Sequence, residues 1–363
     1  MSSDIIAERL LQVIDEGRRT ATYKLALLRA LMDACAANVD ERGRAPVELH
    51  TRVVAEHVVQ LYLPQARLYL GASGDPLQLR QISGGRSAVL GAIVGLHVEA
   101  ELTGSRTHQQ MRDRLPDRLD DCLDEVERTF ARYPIRLLQV VGTQNHPFLY
   151  DIDWGESVSL KQLHAPGGGL IRFRDGAADD LLRLAPLLRP LIELHWTRMV
   201  AQLNDIDVES EHIHSHLFGS ERVTFPPALR AGLADLQDGK CFYCGEALGR
   251  RTQVDHFVPW SRWPNDAIQN LVLADACNGH KRDHLAAAVH VEQWARRLVD
   301  DRTDLGAIAE LAKWESGAGR TLAVARSTYA HLPTGTPLWV RPGEFTQSDS
   351  VATERALSGV APG

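Results

Sequence analysis

The stretch from Cys241 to Leu285, CFYCGEALGRRTQVDHFVPWSRWPNDAIQNLVLADACNGHKRDHL, constrains this chain more than any other. It opens with a Cys-x-x-Cys pair (Cys241, Cys244) and passes the adjacent Asp255 and His256. It then holds Asn270 and closes on Cys277-Asn278-x-x-Lys281. Taken singly, each element has a bland reading. Asp255-His256 could be a polar pair ending a strand, and Asn270 a loop residue capping its own backbone, because isolated motif matches are often accidental. All of them in this order within one short span are far harder to obtain by chance.

These residue types suit one chemistry. Hydrolysis of a phosphodiester needs a base for water and a cation to spread the charge that develops on phosphorus. Asp255 and the side-chain carbonyl of Asn278 are hard oxygen donors of the kind that hold Mg²⁺ or Mn²⁺ while several waters remain bound. Histidine is the side chain suited to proton transfer at neutral pH, so a neutral His256 ring can accept a proton from attacking water. Val254 to Val258 has strand character, and side chains alternate faces along a strand. An irregularity after Asp255 is therefore expected if both groups are to enter one cleft. From Cys277 the run CNGHKRDHLAAAVHVEQWARRL reads as one helix with Asn278 in its first turn. Strand, long loop and helix around one ion make a ββα-metal hairpin.

With these residues in place, the block resembles the HNH endonuclease family, in its Asp-His…Asn…Asn variety, including the HNH domain of RNA-guided DNA nucleases. The resemblance is strongest from Phe218 to Arg297. Weaker phrases, TYKLALLRAL and RLAPLLRPLIELHW, look like those of larger single-chain HNH proteins. It implies catalytic roles for His256, Asp255, Asn270 and Asn278. His256 is the general base, Asp255 and Asn278 hold the metal, and Asn270 ties the loop that carries the His. It also implies 5′-phosphate and 3′-hydroxyl ends. Many members of that family carry two Cys-x-x-Cys knuckles that share a structural zinc. Here the second reads Ala274-Asp275-Ala276-Cys277, so only Cys241, Cys244 and Cys277 supply thiolates. His280 could complete a four-coordinate Cys₃His zinc site. Alternatively no zinc binds and the cysteines pack. His280 could also touch phosphate or lie exposed on its helix. Lys281 and Arg282 are expected to contact phosphates beside the metal, against the plainer reading of a solvated helical face. Arg262, in the loop after the base with Trp260 and Trp263, could reach nucleic acid. Trp260 itself reads better as packing for the hairpin.

The remainder sets bounds. A chain of 363 residues has room for two or three domains. A net charge of −7 argues against a protein coated in basic charge, although nucleic-acid binding needs only a local patch. Five cysteines, with Cys35 and Cys122 outside the motif, form no disulfide framework and fit a reducing compartment. MSSDIIAERL lacks the basic start and apolar core of a signal peptide, and no apolar run reaches membrane-spanning length. The expectation is a cytoplasmic protein with no membrane association.

The fold class read from the sequence is mainly α with small β elements: an α-helical N-terminal module plus a ββα-metal nuclease module. Residues 1–205 are expected as a helical sensor or DNA-reading module, and 206–240 as a hinge and lead-in helix. Residues 241–300 form the nuclease, 301–340 a helical cap, and 341–363 a disordered tail. Within the first module, residues 135–141, 146–152 and 170–174 look strand-like, and Ala178 to Leu203 reads as a long helix containing Pro186 and Pro190. Arg80, Gln81 and Arg86 could read phosphates or base edges. Glu209, Glu211, His212, His214 and His216 look metal-like, but a hinge does not preorganise ligands. The function expected is a metal-dependent endonuclease cutting double-stranded DNA in restriction or phage defence. The partners expected besides DNA are a second copy of the chain, since a dimer would let two single-strand nicks become a double-strand break, or a defence-system protein. The rival readings are an RNA- or single-strand-cutting toxin-like effector and an inactive DNA-binding module.

Overall fold

Apolar residues at helical spacing dominate the sequence, and the computed structural model is accordingly built of helices with small antiparallel sheets. It describes residues 3–15, 20–71, 74–84, 87–105, 107–141, 144–145, 147–207, 212–219 and 224–360. Arg86, Glu209 and Glu211 lie outside these. The chain forms two compact units. One comprises Met1–Cys35 and Pro46–Glu221, the other Ala36–Ala45 and Arg222–Gly363. The division at Glu221 lies within the 206–240 stretch expected as hinge and lead-in, and the short early segment Ala36–Ala45 is grouped with the second unit.

In the first unit, helix α1 (Tyr23–Ala37) carries Leu25, Leu27, Leu28, Leu31 and Met32, all fully buried. From Leu25 to Ala36 every residue is buried, and a helix covered on all sides belongs at the centre of a core. Short strand β1 (Glu48–His50) leads straight into α2 (Thr51–Tyr62), where the His50 ring caps the helix by accepting the Arg52 N–H. Helix α3 (Pro116–Arg132) begins with proline, which fits a first turn, and buries Leu119, Cys122, Leu123, Val126 and Phe130 along one stripe. Strands β2 (Tyr150–Asp151) and β3 (Leu170–Phe173) complete a three-stranded antiparallel sheet in the order β1-β3-β2. Between β2 and β3 lies the one-turn helix α4 (Leu160–Leu163), and after them the long α5 (Ala177–Leu203).

Two expectations change here. The strand-like run from Ile135 begins instead as a helical turn, Pro134–Leu137: Pro134 sets the first helical φ, and Ile135 and Leu138 bury together at i, i+3 spacing. Gln81 is a core residue. It accepts from Thr22 Oγ1 (2.9 Å) and Trp196 Nε1 (3.0 Å) and donates to Gln65 (2.8 Å), so it is not available to read bases.

The second unit runs through α6 (Pro227–Leu236), strands β4 (Gln253–His256) and β5 (Leu271–Ala274), and helices α7 (Ala276–Lys281), α8 (Ala288–Asp300), α9 (Arg302–Ala312) and α10 (Ala318–Ala330). The helix expected to run unbroken from Cys277 stops at Lys281. Arg282 takes φ +46°, and Leu285 and Ala287 then exchange hydrogen bonds with Trp339, both 2.8 Å. Burial of Leu285, Ala286 and Ala287 against that strand outweighs helix continuation.

The tail expected to be disordered is folded as far as it is described. Strand β6 (Pro337–Arg341), at the end of the segment expected as a cap, pairs with β7 (Glu344–Gln347) in the tail, and α11 (Ser350–Ser358) follows. The tail's apolar residues are few, but Leu357 and Val360 are buried, as are Leu338 and Trp339 on β6. Arg326 fastens the end by donating to the carbonyls of Leu357 (3.0 Å) and Val360 (2.7 Å). No helix among the described residues is long and apolar enough to cross a membrane.

Candidate active site

The centre of the second unit is the β4–β5 pair, with Asp255 opposite Val272 and His256 opposite Leu271. A two-stranded ribbon is marginal by itself, and its neighbours support it. Every residue of β5 is buried. Gln237 acts as a third strand in miniature, its amide accepting from Leu273 N (2.8 Å) and donating to Leu273 O (3.0 Å). Phe257 stacks on Trp294 at 4.7 Å with planes 4° apart, and the indole donates to Gln269 O (2.8 Å).

Asn270 is fully buried and closes the intervening loop. Its carbonyl accepts from Val258 N (2.8 Å), and its amide donates to Val258 O (3.1 Å) and Asn265 O (3.0 Å). Its own backbone carbonyl accepts from Phe257 N at 2.7 Å. The residue after the proposed base is thus pinned from both ends of the loop.

Asp255 is nearly buried, and both of its side-chain contacts fall on one oxygen. Tyr243 Oη donates to Oδ2 at 2.5 Å, and Lys281 Nζ stands 3.0 Å from the same atom. Oδ1 remains unengaged. Burial, together with the adjacent carboxylate, pushes the Tyr243 phenol well above its ordinary value, so it stays a donor. Lys281 corrects an expectation. It is fully buried, donates to His256 O (2.8 Å) and lies 5.6 Å over the Tyr243 ring, so it cannot reach a phosphate. Burial lowers the ammonium's pKa, with the Asp255 carboxylate opposing that shift.

His256 has a different set of neighbours. Its Nε2 is 2.8 Å from Asp266 Oδ1, and Trp260 and Phe225 stand beside the ring at 5.2 and 6.1 Å. An ionised Asp266 carboxylate can only accept, so in the neutral tautomer that satisfies it Nε2 carries the proton and Nδ1 presents the lone pair. Pairing continues regularly through His256, without the irregularity expected after Asp255, so the pleat directs the two side chains to different faces. Asn278, on α7, donates through Nδ2 to Gln253 Oε1, leaving its carbonyl oxygen free. Gln253 shares a strand face with Asp255. Both hard oxygens that a divalent ion would use are therefore unengaged, and the residues fit such an ion.

The Sγ atoms of Cys241, Cys244 and Cys277 lie within 4.8 Å of one another, a grouping suited to structural zinc. Burial raises the Cys241 thiol, but backbone hydrogen bonds from Cys244, Asp275 and Tyr243 outweigh it and hold the pKa below the ordinary value. Cys277 is pushed up to about 12 by burial and then by the neighbouring thiolate of Cys241. His280 is exposed on α7 and is not part of this group. Arg282 is exposed, with Nε on Gly279 O (3.0 Å), and Arg262 is half-buried after the base.

Sequence reasoning passed over Tyr243, Gln253 and Asp266. Asp266 lies ten positions after His256 in an aperiodic loop, and only loop closure by Asn270 shows its place.

Residues 241–287 match the HNH endonuclease family, over the segment that carries this geometry. No curated protein and no solved structure matches the chain. Residues 4–217 match a family described as a domain of unknown function (DUF8808), and because that match spans more than half of the sequence the chain belongs to this family, with a segment similar to HNH endonucleases after it.

Proposed function

We propose that the second unit is a metal-dependent endonuclease that hydrolyses phosphodiester bonds in double-stranded DNA. The observation that carries this reading is the state of three atoms inside the HNH-matching segment. Asp255 Oδ1, Asn278 Oδ1 and His256 Nδ1 keep free lone pairs while every other polar atom of those side chains is engaged. Asp255 and Asn278 would hold Mg²⁺ or Mn²⁺, which when bound supplies charge stabilisation for the transition state and the departing oxygen. Tyr243 and Lys281 fix the Asp255 carboxylate so that Oδ1 keeps its direction. Because the pleat directs His256 away from the Asp255 face, its ring has to turn toward the ion to take the proton of water; Asp266 holds Nε2 and leaves Nδ1 as the accepting atom, and Asn270 keeps the loop behind it closed. Cys241, Cys244 and Cys277 would take structural zinc.

Contacts of such a hairpin fall mostly on phosphates, which carry no sequence information directly. The first unit is therefore assigned the choice of where or when cutting happens, in a restriction or phage-defence role. The test is cleavage of plasmid by the full chain with Mg²⁺, Mn²⁺ or EDTA, beside His256→Ala. Cutting should require the ion and fall by about 10²–10⁴-fold in the variant. Equal cutting by His256→Ala would remove the base assignment. Preference for RNA or single strands would remove the substrate, and equal cutting of modified and unmodified DNA without an activator would remove the defence role.

A further inference from the structure

Among the described residues no fourth His, Cys or carboxylate atom lies within the three-sulfur group, and the structure supplies a candidate beside it that the motif does not. In a second Cys-x-x-Cys knuckle the missing ligand would stand at residue 274, where the buried Ala274 offers only a methyl group. His280 is exposed and outside the group. Asp275 is the next residue. Its backbone N–H bonds to Cys241, so its backbone already touches the cluster. It occupies the N-cap position of α7, where aspartate ordinarily accepts a helix N–H, yet it makes no side-chain cap bond. Its Oδ1 is buried and has no hydrogen-bond partner. Its Oδ2 turns toward Gly249, where an added Cβ would stand 3.0 Å away. A desolvated carboxylate oxygen with neither donor nor cation is costly.

We infer that Asp275 is the fourth ligand of a zinc ion held by Cys241, Cys244 and Cys277, making a closed Cys₃Asp site. Structural zinc is four-coordinate and accepts carboxylate oxygen at about 2.0–2.2 Å. The sulfurs need only close in, since around a tetrahedral ion at ~2.3 Å they would stand about 3.8 Å apart. The carboxylate lies outside their 4.8 Å group, so its side chain turns inward when the ion binds. The inference rests on the zinc reading of the knuckle and not on the nuclease activity, so its test needs no cleavage assay.

The experiment uses the full chain, with zinc affinity measured against a competing chelator and the absorption spectrum of the Co²⁺-loaded protein recorded. Wild type should hold one zinc per chain. Asp275→Ala should weaken zinc binding at least tenfold and alter the visible Co²⁺ bands, whereas His280→Ala should change neither. Asp275→Cys should keep the fold and raise the thiolate-to-cobalt charge-transfer intensity by about one third, from three sulfurs to four. This arm also decides the matter if Asp275→Ala fails to fold. Unchanged affinity and spectrum in Asp275→Ala would place water in the fourth position and overturn the assignment. So would a loss of affinity in His280→Ala, an unchanged charge-transfer band in Asp275→Cys, or a wild-type chain that binds no zinc.

Discussion

Glu127 in the first unit and Asp255 in the second are both buried carboxylates, and the fold treats them in opposite ways. Both oxygens of Glu127 are used. Oε1 accepts from Thr51 Oγ1 (2.6 Å), while Oε2 meets His164 Nε2 (2.8 Å) and Arg52 Nη1 (3.4 Å). Arg52 also holds Asp124 (2.6 Å) and Asp120 (2.9 Å), which lie on the same stripe of α3. The β3 end closes over this network, for an added Cβ at Gly169 would stand 2.9 Å from Thr51 Oγ1 and 3.0 Å from His50 Nε2, with φ at +62° besides. Asp255, by contrast, has two donors on one oxygen and none on the other. A saturated carboxylate ties elements together. One held on a single side keeps a lone pair for a ligand, and the unmet hydrogen-bonding capacity is where function is to be sought.

That contrast can be broken from either side. The largest expected effect is on folding: Glu127→Ala removes one partner of a buried charged network and should cost the first unit about 3–5 kcal/mol, read by denaturant unfolding. Little change would mean that the network is ornamental. Next, Asp255→Asn retains the shape but loses the charge presented to the ion. Cleavage should fall about a hundredfold, equivalent to ~2.7 kcal/mol, with the unfolding midpoint much less affected than in Glu127→Ala. Asp266→Asn should reduce turnover by about tenfold to a hundredfold with KM unchanged, because the partner that orients the base is lost; a change confined to KM would assign Asp266 to substrate binding.

The smallest effect is pH-dependent. Burial raises the pKa of Glu315, Arg320 opposes this, and Asp266 adds to it. A raised carboxylate pKa means that the folded state binds the proton more tightly than the unfolded state. Its stabilising share is therefore complete below the unfolded pKa and is lost as pH rises through the folded one. Glu315→Gln should accordingly be more stable than wild type at neutral pH, by less than about 1 kcal/mol, and the difference should vanish in acid. Melting temperatures across that range would show it; a constant difference at all pH would mean that the charge is not the cause.

The sequence made some of this legible for definite reasons. Helix α3 shows its burial through spacing, because the 3.6-residue period is local, and α1 shows it through its near-continuous apolar run. The Cys241–Leu285 block is legible because chemistry at an ion restricts residue type and order together. The folded tail is not legible because its apolar anchors, Leu357 and Val360, are too few to make a period. Lys281 was misplaced because a basic residue beside a motif reads as solvent-facing, whereas here Asp255 and the Tyr243 ring draw it into the interior.

The sequence by itself determined which atoms are able to do chemistry: two hard oxygens, an imidazole and three thiols at fixed intervals. Tertiary structure decided which of those atoms are free to do it. Asp266 reaches His256 only after loop closure, Lys281 turns inward only once the hairpin and α7 have packed, and Asp275 comes to lie beside Gly249 only in the folded unit. Side-chain identity is a property of single positions. Hydrogen-bond saturation and desolvation belong to groups brought together from distant parts of the chain, and no local pattern encodes them.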